Sequence, residues 1–278
     1  MEIFKKLLLP ISSEFFPENA VNRIAKFMEK FNSRLVVAYI IEEKTLKKME
    51  EVSEVFLTEE QMEEMENQIL EQGSMVAEKI IFEKVEPFIH EFGKKVIFGE
   101  FSEEVKKISR EQNITCIITG YEKNCFLRYR LFEEMNIPIW VEMGRGNKIV
   151  LGICSNLAPN KRVPSLTLEI AKAFGYTPHL LYVVDKEERV EVDEKGRKIE
   201  RNIEELVGKA KKFLQKYEDK AITHFAKGIL EEEIVEYANS INADVVILGR
   251  EMKKRKIFCR EMKKNIVEKL KHSMFFLN

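Results

Sequence analysis

The chain has 278 residues, of which 46 are lysine or arginine and 47 are aspartate or glutamate, giving a formal net charge of −1. This balance excludes the strong overall field that draws basic proteins to nucleic acid or anionic membranes. No apolar run approaches the ~18 residues of a membrane span, and the N-terminus lacks a signal peptide's apolar core, so we expect a cytoplasmic protein. The lysine and glutamate content resembles that of thermophile surfaces.

The first half of the chain alternates strand and helix signals. Short apolar runs predict strands at residues 6–11, 34–41, 94–98, 116–118 and 137–141. Apolar residues at helical spacing predict helices at residues 19–31 and from residue 101 to residue 108. The longest segment without a strand, residues 44–91, keeps a helical stripe that we expect to pack in the core rather than to form a methionine-rich binding surface. The stripe consists of Met62, Met65, Ile69, Val76 and Ile80.

The second half of the chain repeats the same alternation. The apolar runs predict strands at residues 148–154, 179–184, 221–226, 244–248 and 273–277. Helical spacing predicts helices at residues 164–174, 199–217 and 231–241. Alternating strands and helices with continuous apolar strands are typical of a doubly wound parallel sheet.

An internal repeat relates the two halves. Gly99 and Gly120 are 21 positions apart, as are Gly228 and Gly249, and each pair encloses a helix followed by a buried strand. The offset between the halves falls from 143 to 129 between the second and third strands, so the first half carries 14 extra residues there. We therefore predict two tandem domains, residues 1–145 and residues 146–278.

Ligands of doubly wound sheets bind beyond the carboxyl ends of the strands, at the point where the strand order reverses. The sequence therefore directs attention to the residues that follow Ile11 and Gly120 in the first half. The corresponding positions in the second half follow Ile153 and Gly249.

Three segments resemble universal stress protein domains: residues 8–13, residues 244–249 and residues 268–272. The resemblance covers nearly the whole chain as a tandem pair. It implies two five-stranded sheets of the adenine nucleotide alpha hydrolase type, with strand order 3-2-1-4-5. Domains of this family commonly dimerise through their last strands. We therefore expect an internal pseudo-dimer in which residues 139–142 pair with residues 274–277, and a homodimer or an unknown protein partner stays open.

The ATP-binding members of this family carry an aspartate at the end of strand 1 and the pattern G-x2-G-x9-G-[ST] after strand 4. Ser12 and Cys154 stand at the aspartate position, and only the first glycine remains, as Gly120 and Gly249. Lys123 and Met252 replace the second glycine, and Glu133 and Met262 replace the third. Because a β-carbon obstructs the approach of backbone amides to phosphate, the resemblance predicts that the ordinary ATP site is lost.

A basic segment, residues 250–271, follows the second-half glycine. It either holds an anion by side-chain charge or is a solvated surface, and nucleic acid is disfavoured because only Phe258 is interleaved. The sequence predicts no cofactor, although ATP, AMP or another anion stays open as a ligand. The candidate nucleotide or anion positions are Ser12, Gly120, Lys123, Cys154, Gly249, Arg250, Lys253 and Arg255.

No catalytic constellation is recognisable in the sequence. The four histidines have no metal-binding spacing, and neither a phosphate-binding P-loop nor a nucleophile elbow occurs. Cys116 and Cys154 lie in apolar runs that are typical of structural thiols. The sequence thus favours a non-enzymatic stress or regulatory protein that works through protein contacts or small-ligand sensing. The alternative is an adenine-nucleotide-binding stress protein with weak or slow ATP turnover.

Overall fold

The computed structural model describes residues 1–42, 59–121, 135–144, 146–158, 160–193, 196–249 and 269–277. The chain divides into two compact units, Met1–Met135 and Asn136–Asn278. Among the helices within these ranges, none is both long enough and apolar enough to cross a membrane.

The first unit contains four parallel strands and three helices. The strands are β1 (Lys6–Ser12), β2 (Arg34–Glu42), β3 (Gly93–Gly99) and β4 (Cys116–Gly120). The helices are α1 (Glu18–Phe31), α2 (Glu59–Lys84) and α3 (Phe101–Glu111), and a short 3-10 helix (Glu2–Phe4) precedes β1. The strands lie in the order β3-β2-β1-β4, and β1 and β4 are buried over nearly their whole length.

The second unit repeats the four-stranded parallel arrangement of the first unit and adds a fifth parallel strand. Its strands are β5 (Ile139–Glu142), β6 (Ile149–Ser155), β7 (Thr177–Asp185), β8 (Val190–Val192), β9 (Lys198–Glu200), β10 (Ile222–Gly228), β11 (Val245–Gly249) and β12 (Ser273–Leu277). Its helices are α4 (Arg162–Phe174), α5 (Ile203–Gln215) and α6 (Leu230–Ile241). The main sheet of this unit has the order β10-β7-β6-β11-β12-β5. Counted from β6, its parallel strands follow the predicted order 3-2-1-4-5, which confirms the fold class.

The last two predicted strands pair with each other, as the sequence analysis expected. β5 lies antiparallel to β12, with Trp140 opposite Phe275, and the centroids of these two buried rings are 5.3 Å apart. This pairing places β5 in the second compact unit, whereas the repeat pattern assigned it to a first domain that ends at residue 145.

The repeated glycines occupy equivalent places in the two units. Gly99 ends β3 and Gly228 ends β10. A β-carbon on either glycine would collide with a glutamate side chain five residues later, Glu104 or Glu233. These glycines therefore permit the following helix, α3 or α6, to begin close against the strand end.

The predicted excess in the first half lies between its second and third strands. Fifty residues separate Glu42 from Gly93, and 36 separate Asp185 from Ile222, a difference of 14. The helix that occupies this position has 26 residues in the first unit (α2) but only 13 in the second (α5).

The second unit corrects one predicted helix. Residues 199–217 do not form a single helix, because β9 occupies the start of this range and pairs antiparallel with β8 in a separate two-stranded sheet. α5 then begins after Asn202, whose side-chain oxygen accepts the backbone N–H of Glu205 at 2.8 Å. An asparagine in this N-cap position explains why the helix starts there.

The buried face of α2 lies one position C-terminal to the predicted apolar stripe. Val76 was expected in the core but is 49% exposed, whereas Ala77 and Ile81 are fully buried. The buried face of the helix also includes Gly73, where a β-carbon would lie 2.7 Å from Ile41 on β2. The side chains of Met62 and Met65 lie outside the described residues.

Close packing of α4 on β6 depends on Gly152. A β-carbon there would lie 2.2 Å from Thr167 Oγ1, 2.9 Å from Leu180 and 3.0 Å from Val163. Thr167 is itself fully buried and donates its hydroxyl to the Val163 carbonyl at 2.7 Å, so it cannot easily move aside. The central strand of the second unit therefore requires a residue without a side chain at this position.

We predict that Gly152→Ala destabilises the protein by about 1–3 kcal/mol, because overpacking forces α4 away from the sheet. Gly208→Ala is the matched control, since Gly208 lies in α5 with no atom near the added methyl group. That control should stabilise by about 0.5–1 kcal/mol through helix propensity. Chemical denaturation measures both variants, and equal stabilities would contradict the tight packing described for Gly152.

Candidate functional site

The carboxyl ends of the first and fourth strands meet in both units. β1 pairs with β4, so Ser12 and Gly120 lie at the same edge of the first sheet. β6 pairs with β11 with Ile153 opposite Leu248, so Cys154 and Gly249 lie at the corresponding edge of the second. The described candidate positions are thus brought together in two pairs, at the switch points expected to bind ligand.

In the first unit a tight turn follows β1. The backbone N–H of Phe15 donates to the Ser12 carbonyl at 3.1 Å, and the Ser12 N–H donates to the Phe15 carbonyl at 3.3 Å. The Ser12 hydroxyl accepts the N–H of Glu14 at 3.3 Å. Ser12 therefore uses its backbone and side chain to close the turn.

This turn places Phe15 and Pro17 against Gly120. A β-carbon on Gly120 would lie 3.0 Å from Pro17 Cβ and 3.3 Å from Phe15 Cζ, and Pro17 is buried. Gly120 thus faces the chain's own ring atoms. Its lack of a side chain serves internal packing in this unit.

In the second unit Asn156 holds the loop after β6 against its neighbours. Its Oδ1 accepts the backbone N–H of Asp185 at 2.8 Å. Its Nδ2 donates to the carbonyls of Glu188 at 3.0 Å and Val190 at 2.7 Å. Because Asn156 is 2% exposed and all these hydrogen bonds are formed, it ties the end of β7 and the start of the β8–β9 hairpin to the β6 loop.

The hydrogen bond between the Asp185 N–H and the Asn156 side chain has a counterpart in the first unit. Ser13 and Glu42 lie 143 positions before Asn156 and Asp185. The Glu42 backbone N–H donates to the Ser13 hydroxyl at 3.3 Å, and the Ser13 N–H donates to the Ile40 carbonyl at 3.0 Å. Both units therefore use a polar side chain after the first strand to bind the last residue of the second strand.

Asp185 extends this network toward α6. Its Oδ1 accepts the N–H groups of Glu187 and Glu188, both at 2.9 Å, and its Oδ2 accepts the N–H of Leu230 at 3.0 Å. Leu230 is the first residue of α6, so the carboxylate also satisfies a helix N-terminus. A buried carboxylate with three backbone donors is a structural device here.

Cys154 lies one residue before the end of β6 and is fully buried opposite Tyr182 on β7. The end of β6 is Ser155, whose backbone N–H donates to Asn160 Oδ1 at 3.0 Å. Asn160 Nδ2 in turn donates to the carbonyls of Ser155 and Ala158, at 2.7 Å and 2.6 Å. The thiol thus belongs to the core, and asparagines occupy the edge above it.

Four predicted site residues, Lys123, Arg250, Lys253 and Arg255, lie outside the described residues. No group of three or more histidine, cysteine, aspartate or glutamate side chains within the described ranges could hold a metal ion.

Residues 147–256 match the model of the Universal stress protein family. This match confirms the resemblance recognised in the sequence for the second half of the chain. A search of curated proteins found no match. The fold of the chain is similar to that of a universal stress protein from Archaeoglobus fulgidus, with 13% identity, a TM-score of 0.64, and 97% of this chain and 95% of that chain covered. A functionally unknown protein from Pseudomonas aeruginosa is similar at 10% identity and a TM-score of 0.60, over 99% of this chain and 92% of that one.

The sequence analysis did not single out three buried polar residues at the carboxyl edge of the second sheet. Asn156, Asn160 and Asp185 fall in charged or polar loops, where nothing in the composition separates a buried asparagine from a solvated one. The repeat offset of 143 was the available signal, because it aligns Ser13 with Asn156 and Glu42 with Asp185.

We predict that Asn156→Ala destabilises the protein by about 2–4 kcal/mol, because it leaves the buried Asp185 N–H without its partner and removes the side-chain donor to the Glu188 and Val190 carbonyls. Ser13→Ala is the control at the equivalent position. It removes one longer bond and should cost under about 1 kcal/mol. Equal losses for the two variants in urea denaturation would show that the Asn156 network contributes less than its geometry implies.

Proposed function

We propose that this chain is a non-enzymatic universal stress protein that acts through protein contacts or by sensing a small ligand, with its ordinary ATP site lost. The observation that carries the proposal is that the chain's own groups occupy the carboxyl ends of the strands, at the switch point of the first unit and at the neighbouring ends of β6 and β7 in the second. Phe15 and Pro17 lie against Gly120 in the first unit, and Asn156 occupies the Asp185 N–H in the second. A nucleotide at either edge would have to displace these groups.

The sequence of the loops supports the same proposal. Lys123 and Met252 stand where the ATP-binding pattern has its second glycine, and Ser12 stands in place of its aspartate in the first half. The strand register places Ser155, rather than the predicted Cys154, at the equivalent position of the second half. Because the pattern works by letting backbone amides approach phosphate oxygens, side chains at these positions weaken a triphosphate site.

An exposed apolar surface supports action through protein contacts. Met75, Phe82 and Phe88 are 59%, 68% and 55% exposed on α2 and the turn that follows it. Most exposed large apolar side chains of the described residues lie in this part of the chain. Clustered exposed apolar groups are typical of protein interaction surfaces. The internal pseudo-dimer and the cytoplasmic location expected from the sequence stay predictions.

The alternative function is an adenine-nucleotide-binding stress protein with weak or slow turnover. It is favoured by the basic residues Arg250, Lys253 and Arg255, which follow the retained Gly249 in the sequence. Lysine and arginine side chains could hold a phosphate group in place of a glycine cradle.

Titration of ATP into the full chain decides between the two functions. We expect no binding tighter than about 1 mM at physiological salt, and no adenine nucleotide among the small molecules released from the denatured protein. The variant Lys253→Ala with Arg255→Ala tests the basic segment at low salt. Tight, salt-insensitive binding, or nucleotide released in near-equal molar amount, would establish the alternative.

A further inference from the structure

A cleft of about 320 Å³ opens beside α5 in the second unit. Its floor is formed by Ser155, Asn156 and Tyr182, and its walls by Glu191 on β8 and by one face of α5. None of the lining residues within the described ranges comes from β11. The cleft begins at the carboxyl end of β6, where Ser155 is the last strand residue, and extends from there along α5.

Three lysines of α5 line this cleft. Lys209, Lys212 and Lys216 are three and four residues apart, so they share one face of the helix. Lys209 is paired with Glu191, which also receives Arg201 Nε at 3.1 Å. Lys212 and Lys216 form no ion pair with any described residue. Among the described residues, these two positive charges at the cleft have no counter-charge.

Glu191 is ion-paired with its basic neighbours, Lys209 and Arg201. Burial alone would raise the pKa of Glu191, but the hydrogen bonds and charges of Lys209 and Arg201 outweigh it and lower that pKa. Glu191 is therefore ionised at neutral pH and neutralises the charge of Lys209.

Two largely buried hydroxyl groups complete the cleft. Tyr182 is 7% exposed, and its hydroxyl makes no hydrogen bond with the described residues. Burial raises the pKa of Tyr182, and the charges of Cys154 and Glu191 add to the effect, so this hydroxyl stays protonated and can donate. Ser155, 3% exposed, accepts the N–H of Leu157 at 2.9 Å, and its own proton has no acceptor among the described residues.

We infer that this cleft binds a small phosphorylated molecule through Lys212, Lys216 and the hydroxyls of Ser155 and Tyr182. A phosphoryl group carries nearly two negative charges at neutral pH, which matches the two unpaired lysines, whereas a carboxylate would neutralise only one. Phe213 packs edge-on against Tyr182 at 5.3 Å and offers an apolar wall for the rest of the ligand. The volume lies at the lower end of ligand pockets, which favours a small molecule.

The inference deepens the proposed function, because it supplies a site where a small ligand could be sensed. The test titrates phenyl phosphate, inorganic phosphate and benzoate into the full chain and follows binding by calorimetry and amide NMR. Phenyl phosphate should bind more tightly than inorganic phosphate, which lacks the ring, and than benzoate, which has a single charge. If neither phenyl phosphate nor ATP binds, the inference about the cleft fails but the proposed loss of the ATP site does not. The two proposals can therefore fail separately.

The variant Lys212→Ala with Lys216→Ala should weaken phenyl phosphate binding ~10-fold at low salt. The matched control is Lys211→Ala with Lys220→Ala, which removes the same charge from exposed lysines that do not line the cleft and should change affinity less than ~2-fold. Tyr182→Phe should also weaken binding, because it deletes one donor and leaves the ring in place.

Glu191→Gln gives a result in the opposite direction. It releases Lys209 toward the ligand and should strengthen phenyl phosphate binding by roughly 3-fold. The inference is overturned if wild type binds phenyl phosphate no better than benzoate, or if both double lysine variants weaken binding equally. It is also overturned if the perturbed amides lie outside the cleft.

Discussion

Both units form an equivalent hydrogen bond, which joins the loop after the first strand to the backbone N–H at the end of the second strand. Parallel strands leave such N–H groups without a ladder partner at the carboxyl edge, and burial makes an unpaired one costly. Asn156 fills this need for Asp185, and Ser13 fills it for Glu42. A ligand that displaced these side chains from the strand edge would have to replace hydrogen bonds that already exist.

The fold was predictable because its signals are periodic. Buried strands such as β4 and β11 read as continuous apolar runs, and the equal spacing of Gly99 and Gly120 with Gly228 and Gly249 fixed the alignment of the halves. The β8–β9 hairpin escaped prediction because three-residue strands carry no usable period. The buried face of α2 lies one position away from the predicted stripe. The contact between Gly73 and Ile41 is a tertiary contact, which helical spacing in the sequence cannot predict.

The candidate site was less predictable than the fold, and the reason is chemical. Polar residues in a loop have the same composition whether they face solvent or bind the backbone of a neighbouring strand. Asn156, Asn160 and Asp185 are all at least 92% buried, yet they stand among charged residues in the sequence. Motif comparison revealed that glycines of the ATP pattern were missing. It could not reveal which side chains form hydrogen bonds with the backbone at the ends of the strands.

The two units have diverged most between their second and third strands, and this divergence separates two kinds of surface. In the first unit, the 14 additional residues lie between these strands, and apolar side chains are exposed on α2 and after it, of which Phe82 is the most exposed. The second unit places a hairpin there, and Glu191 of that hairpin pairs with Lys209 and Arg201 and so sets the charge of the adjacent cleft. Because flexible, half-exposed lysines lose rotamer freedom when they bind and are screened by salt, such a cleft favours modest affinity. With modest affinity, the site fills and empties as the ligand concentration rises and falls around a high Kd, as a sensor requires, whereas a tightly held cofactor would stay bound.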